Sequence, residues 1–199
     1  MRSPSDVRPA ADPHIVALCG SLRDASRTRI VLAEALAAAR DAGATTELID
    51  LRERDIPALD PDAPTPSDAA ALADAVAGAD AVLLGTPNYH GSYTGVLKDA
   101  LDHLGRGEVG GATVGLVEVA AGSHPGPALA HLRGVCRTLN AWTLPLEVAV
   151  ADSHTVVTED GIADTDLTER VRRLGAELVR YAGVEHYPEL AGPPGATGD

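Results

Sequence analysis

Short apolar runs alternate along the chain with stretches that are apolar on one side only. His14–Cys19, Thr45–Asp50, Ala81–Gly85, Thr113–Val119 and Thr143–Val150 read as strands. The third and fourth are nearly continuous in apolar residues, as strands covered on both faces are. Between the strands the pattern predicts helices over about 30–42, 67–78, 94–104 and 125–139. In the fourth of these, Leu129, Leu132, Cys136 and Leu139 share one face. A last helix near 166–182 sets Leu167, Val171, Leu174, Leu178 and Val179 opposite a charged side.

Strand and helix in alternation predict an α/β three-layer sandwich. Its parallel sheet is wound by right-handed crossovers and has helices on both faces. For five strands the order 2-1-3-4-5 is the economical one, and ligands then bind at the carboxyl ends of the strands. One domain over residues 14–185 is expected, with no internal repeat. The polar, Pro-rich stretch 1–13 and the Gly- and Pro-rich stretch 188–199 are expected to be flexible tails. Two loops are long: Leu51–Pro66, with prolines at 57, 61, 64 and 66, and the acidic Ala151–Asp166.

A chain of 199 residues suits a single domain with a substantial core. It has no apolar stretch long enough to span a bilayer and no apolar segment of the signal-peptide kind near its start, so a cytoplasmic protein is expected. Cys19 and Cys136 sit in apolar patterns and read as buried, reduced thiols. The net charge of -13 makes nucleic acids and anionic membranes poor partners. Fifteen of the sixteen basic residues are arginine, phenylalanine is absent, and Ala and Asp are abundant. Such an acidic surface suits a high-salt cytoplasm; a GC-rich genome accounts equally for the Arg and Ala.

Three loops at the predicted ligand edge carry candidate chemistry. The first is Gly20-Ser21-Leu22-Arg23-Asp24-Ala25-Ser26-Arg27-Thr28-Arg29, between the first strand and a helix. Free backbone N–H groups and the positive end of a helix dipole converge there and favour a phosphate. Neither a G-x-x-x-x-G-K-[ST] loop nor a G-x-G-x-x-G turn is present. Ser21, Ser26 and Thr28 add hydroxyls, and Arg23 can bind phosphate in a bidentate way, a set that suits one terminal phosphate monoester, as in FMN. A helix capped by Ser26 beside a solvated Arg23 reads the same segment more plainly.

The second loop, Thr86-Pro87-Asn88-Tyr89-His90-Gly91-Ser92-Tyr93-Thr94-Gly95, holds two of the five aromatic residues in the chain. A flat ring needs such backbone donors and apolar walls. An ordinary turn with Ser92 or Thr94 capping a helix is the alternative. The third, Ala120-Ala121-Gly122-Ser123-His124-Pro125-Gly126, is small enough for close backbone approach, or is a plain connection capped by Ser123. The histidines and cysteines show no metal spacing, no G-x-S-x-G suggests a hydrolase, and the single lysine, Lys98, reads as placed by chance rather than as a compact ammonium needed in the helix after the second loop.

With these motifs in order, the chain resembles the NADPH-dependent FMN reductases of flavodoxin-like fold, a family that includes quinone, chromate and azo-dye reductases. Gly20-Ser21-Leu22-Arg23-x-x-Ser26 is similar to the family's G-S-x-R-x-x-S phosphate loop. Thr86 to Tyr93 is similar to its T-P-E-Y-N-G-S-Y flavin loop, and Leu97-Lys98-Asp99-Ala100-Leu101-Asp102 to the L-K-N-A-L-D that follows. The resemblance spans roughly residues 14–182.

The resemblance implies that Ser21, Arg23, Ser26, Arg27 and Thr28 surround the FMN phosphate. It implies that Pro87, Asn88, Tyr89, His90 and Gly91 line the ribityl chain and ring, with Gly122 at the pyrimidine edge. It implies hydride transfer from NADPH or NADH to FMN and then to a quinone or similar small electron acceptor in a ping-pong cycle, within a homodimer or homotetramer. Thr28 stands where many relatives have Asn, Asn88 where they have Glu, and His90 where they have Asn. A flavodoxin-like electron carrier is the alternative, and a flavin-free regulatory module a further one.

Overall fold

The computed structural model describes residues 12–183. Its sheet is built from β1 (His14–Cys19), β2 (Thr45–Asp50), β3 (Ala81–Pro87), β4 (Thr113–Val119), β5 (Trp142–Thr143) and β6 (Val148–Val150). The strands are parallel in the order β2-β1-β3-β4-β5, and β6 continues the fifth position by pairing with the upper part of β4. This is the 2-1-3-4-5 flavodoxin-like sandwich expected from the pattern. The two tails expected at 1–13 and 188–199 lie outside the described residues, apart from Asp12 and Pro13, as does the end of the expected domain, 184–185.

Alternation in the strands explains the layers. Ile15, Ala17, Cys19 and Leu83 point to one face, where α1 (Arg27–Asp41) and α7 (Thr165–Tyr181) cover them with Val31, Leu32, Ala35, Leu174 and Leu178. Val16, Leu18, Val82, Leu84 and Leu116 point to the other. There α2 (Ser67–Ala77), α3 (Gly95–Asp102) and α5 (Pro127–Thr138) pack with Leu72, Val76, Leu97, Leu129 and Leu132. Cys19 and Cys136 are buried, one in each core, and unpaired. A short helix, α4 (Arg106–Val109), follows α3.

The fifth strand is not the single run expected over Thr143–Val150. Pro145 has no N–H to give the ladder and interrupts it. Leu144 still donates to Val114 O at 2.9 Å, and the chain then leaves the sheet until Val148. Arginines take the freed carbonyls: Arg133 Nη2 bonds Leu144 O at 2.9 Å and Arg170 Nε bonds Glu147 O at 3.0 Å. The acidic loop after it holds α6 (Ser153–Val156) and a small antiparallel pair, β7 (Val157–Thr158) with β8 (Gly161–Ile162), which packs on α1. Among the described residues no helix is long and apolar enough to cross a membrane.

Candidate functional site

The first loop is held in shape by the protein's own hydrogen bonds. Gly20 donates its N–H to Gly85 O at 2.8 Å, tying the end of β1 to β3. A Cβ at Gly20 would lie 2.9 Å from Leu97 Cβ and 3.1 Å from Gly85 O, so a side chain there would push the loop off α3. Ser26 is the N-cap of α1, and its Oγ accepts from the Arg29 N–H at 3.1 Å. No acidic residue sits in the first turn, so the positive helix end is left for an anion. Ser21, Ser26 and Thr28 come together here and are buried.

Two arginines clamp the loop from the β2 side. Arg52 bonds the carbonyl of Leu22, and its other Nη reaches the Asp24 carboxylate at 2.6 Å. Arg29 bonds the Asp24 carbonyl and pairs with buried Asp50 at the end of β2; the Asp50 bond raises the Arg29 pKa. Arg27 turns elsewhere, with Nε on Val157 O at 3.2 Å. The exposed Arg23 side chain has no hydrogen-bond or ion-pair partner among the described residues. A cleft of about 520 Å³ lies between the start of α1 and the β7–β8 pair, lined by Ser26, Arg27, Arg29, His154, Thr158 and Glu159 among others. No residue of the second or third loop lines it, so it flanks the three-loop edge.

The second loop is a tight hairpin. Tyr89 and Ser92 exchange both backbone bonds, at 3.0 and 3.1 Å, around His90 (φ 55°) and Gly91 (φ 76°). Two consecutive positive φ angles make a type I′ turn, a conformation open to glycine and tolerated by a few residues such as Asn and His. His90 therefore occupies a position set by backbone conformation. Asn88 accepts the Gly91 N–H on Oδ1 at 3.0 Å and donates through Nδ2 to Glu118 Oε1 at 2.5 Å. Pro87 ends β3, Gly91 caps the bend, and Tyr89 is 48 % exposed at the tip. Thr94, one of the two caps anticipated, is the N-cap of α3. Lys98 forms an i, i+4 pair with Asp102 at 2.5 Å on the same helix.

The third loop ends at Gly126, the N-cap of α5. Ser123 is not the cap; its hydroxyl lies 2.8 Å from His124 Nδ1. The capping acceptor is Glu118, whose Oε2 receives the N–H groups of Gly126 at 2.9 Å and Leu129 at 3.2 Å. A Cβ at Gly122 would meet nothing within 4 Å, which leaves room beside it for a ligand. Glu118 escaped the sequence reading, although a lone carboxylate inside the apolar run 113–119 was a visible signal. Arg52 and Asp50 had no such signal. Among the described residues no group of His, Cys, Asp and Glu could hold a metal ion.

Comparisons with known proteins identify the family and the fold. A family model described as NADPH-dependent FMN reductase matches residues 13–155. An FMN-dependent NADPH-azoreductase of Staphylococcus aureus is 35% identical over 153 residues, 72% of this chain and 81% of the relative. Among solved structures, FerB from Paracoccus denitrificans, a flavoenzyme NAD(P)H:(acceptor) oxidoreductase, superposes with a TM-score of 0.68 at 21% identity, covering 85% of this chain and 96% of its own. The two-electron reduced Megasphaera elsdenii flavodoxin superposes with a TM-score of 0.60 at 18% identity, covering 83% and 98%. Reductase and carrier thus share the fold, and the sequence match separates them: the chain belongs to the NADPH-dependent FMN reductase family, oxidoreductases that use FMN with NAD(P)H as electron donor.

Proposed function

We propose that the chain passes reducing equivalents from NADPH or NADH through FMN to a small acceptor, a quinone or an azo compound, in a ping-pong cycle. The residues present fit FMN. Arg23, the Ser21 and Ser26 hydroxyls and the open start of α1 suit a phosphate dianion. The hairpin Tyr89–Ser92 and the open space at Gly122 suit a flat ring. When bound, FMN supplies the hydride and electron chemistry. The protein's part is to orient the ring, keep one face reachable, and present backbone N–H groups of the second and third loops to the charge that builds on it.

One observation favours turnover over simple electron carriage. Trp142 and Tyr181 meet at a tilt of 49° at the opposite end of the sheet, with centroids 5.7 Å apart, where Trp142 lies beside Thr113 at the start of β4. Tyr93 packs on the core. Tyr89 is then the aromatic residue that the described part of the chain exposes at the ligand edge. Among the described residues one aromatic cannot shield both ring faces, and an open face admits a nicotinamide and then an acceptor in turn. Parallel initial-velocity lines with NADPH and a quinone are expected, with rapid anaerobic bleaching of the flavin by NADPH. Flavin that NADPH and NADH reduce only over hours would favour the carrier. We further propose that the acidic chain works in the cytoplasm as a homodimer or homotetramer, with neither nucleic acid nor membrane as partner.

A further inference from the structure

Glu118 is fully buried inside β4, yet it touches two of the three loops. Asn88 Nδ2 reaches Oε1 at 2.5 Å, and the Gly126 and Leu129 N–H groups reach Oε2 at 2.9 and 3.2 Å. A carboxylate removed from water costs desolvation that its hydrogen bonds must offset, so its burial is weak evidence for a role in stability. What the carboxylate provides is geometry. Gly126 has no side chain with which to cap α5, and Pro127 at the first helical position has no N–H, so the strand supplies the acceptor from below. On the other side, the Glu118 bond fixes the Asn88 amide with its oxygen toward Gly91, whose N–H it accepts within the type I′ turn closed by Tyr89 and Ser92.

We propose that Glu118 is a positioning residue for the ring side of the flavin site, holding the second loop through Asn88 and the third through the start of α5. This rests on FMN occupying the three-loop edge. The hydrogen-bond polarity makes the pair testable by exchange. In Glu118→Gln, one amide oxygen must serve α5, and the NH2 then faces the Asn88 NH2; if Asn88 flips to accept, its own NH2 faces the Gly91 N–H, and the turn loses its bond. In Asn88→Asp alone, two carboxylates meet across the same gap. In the double exchange Asn88→Asp with Glu118→Gln, every donor again finds an acceptor in the reverse sense.

The experiment titrates apoprotein with FMN and with riboflavin and measures the midpoint potential of the bound flavin. Each single variant is expected to lose about tenfold or more for both flavins equally, because the phosphate is not involved. Asn88→Asp, which adds a second negative charge to the pair, is also expected to lower the potential. The exchange variant is expected to recover both. A loss confined to FMN, single variants with normal affinity and potential but a lower melting temperature, or an exchange that recovers nothing would overturn the proposal. If Glu118→Gln does not fold, Asn88→Asp against the exchange carries the same comparison. Wild-type protein that takes up neither flavin would overturn the FMN reading itself, and this inference with it.

Discussion

Thr94 donates its hydroxyl to the carbonyl of Gly20 at 2.7 Å across 74 residues of sequence. The same oxygen accepts the Leu97 N–H at 3.4 Å as the cap of α3, and the Thr94 N–H reaches Thr86 Oγ1 at 3.0 Å. One buried threonine thus joins the first loop to the loop after β3. Thr94→Val keeps the shape and removes the hydroxyl, leaving a buried carbonyl unpaired and a helix uncapped. It is expected to cost about 2–3 kcal/mol in urea unfolding and to weaken FMN, while Thr94→Ser keeps most of both.

Arg23 is held by no partner among the described residues, whereas Arg29 and Arg52 are spent on the loop itself. Arg23→Ala is expected to weaken FMN by about 1.5–3 kcal/mol, tenfold or more, and to leave riboflavin nearly unchanged. Fluorescence titration of the two flavins checks it: equal losses would place Arg23 away from the phosphate.

At His90 the backbone, not the imidazole, is the constraint, since φ is 55°. His90→Asn and His90→Gly are expected to melt within a few degrees of wild type. His90→Val, β-branched in a left-handed position, is expected to cost roughly 1–2 kcal/mol. Thermal melts of the three variants decide whether the turn or the ring matters for folding.

Burial pushes the Cys136 thiol from 9.0 up to about 11. The folded state therefore holds its proton at a pH where the unfolded chain has released it. The stabilisation is complete below about pH 9 and is lost as pH rises toward 11, in total roughly 2–3 kcal/mol. Cys19 is raised for the same first cause and adds in the same direction. Chemical unfolding at pH 8 and 10.5 should show a steeper loss for wild type than for Cys136→Ala.

Strand positions were legible because burial on both faces leaves apolar runs such as Ala81-Val82-Leu83-Leu84 with no other explanation. The order of the sheet followed from their number and the helices between them. The fifth strand misled because Thr143–Val150 is apolar enough to hide Pro145, whose missing N–H matters only once a neighbour is in place. The pair β7–β8 has two residues per strand, too few for a period to show. In the site, Ser26 as cap, Thr94 as cap and Arg23 as an available cation could be reasoned from local order. The turn of Arg27 toward Val157, 130 residues on, and the convergence of Asn88 and α5 on Glu118 depend on tertiary contacts that no local pattern carries.

The clamp on residues 22–24 has a kinetic side. By pairing Arg29 with Asp50 and Arg52 with Asp24, it leaves Arg23 without a partner among the described residues, on a chain of net charge -13. FMN and NADPH are themselves anions, so each must approach a body of its own sign. Added salt then acts twice, hastening encounter by screening the whole protein and hastening departure by screening one contact. An affinity that hardly changes with ionic strength would conceal two rate constants that both climb, and stopped-flow mixing across a salt series would separate them.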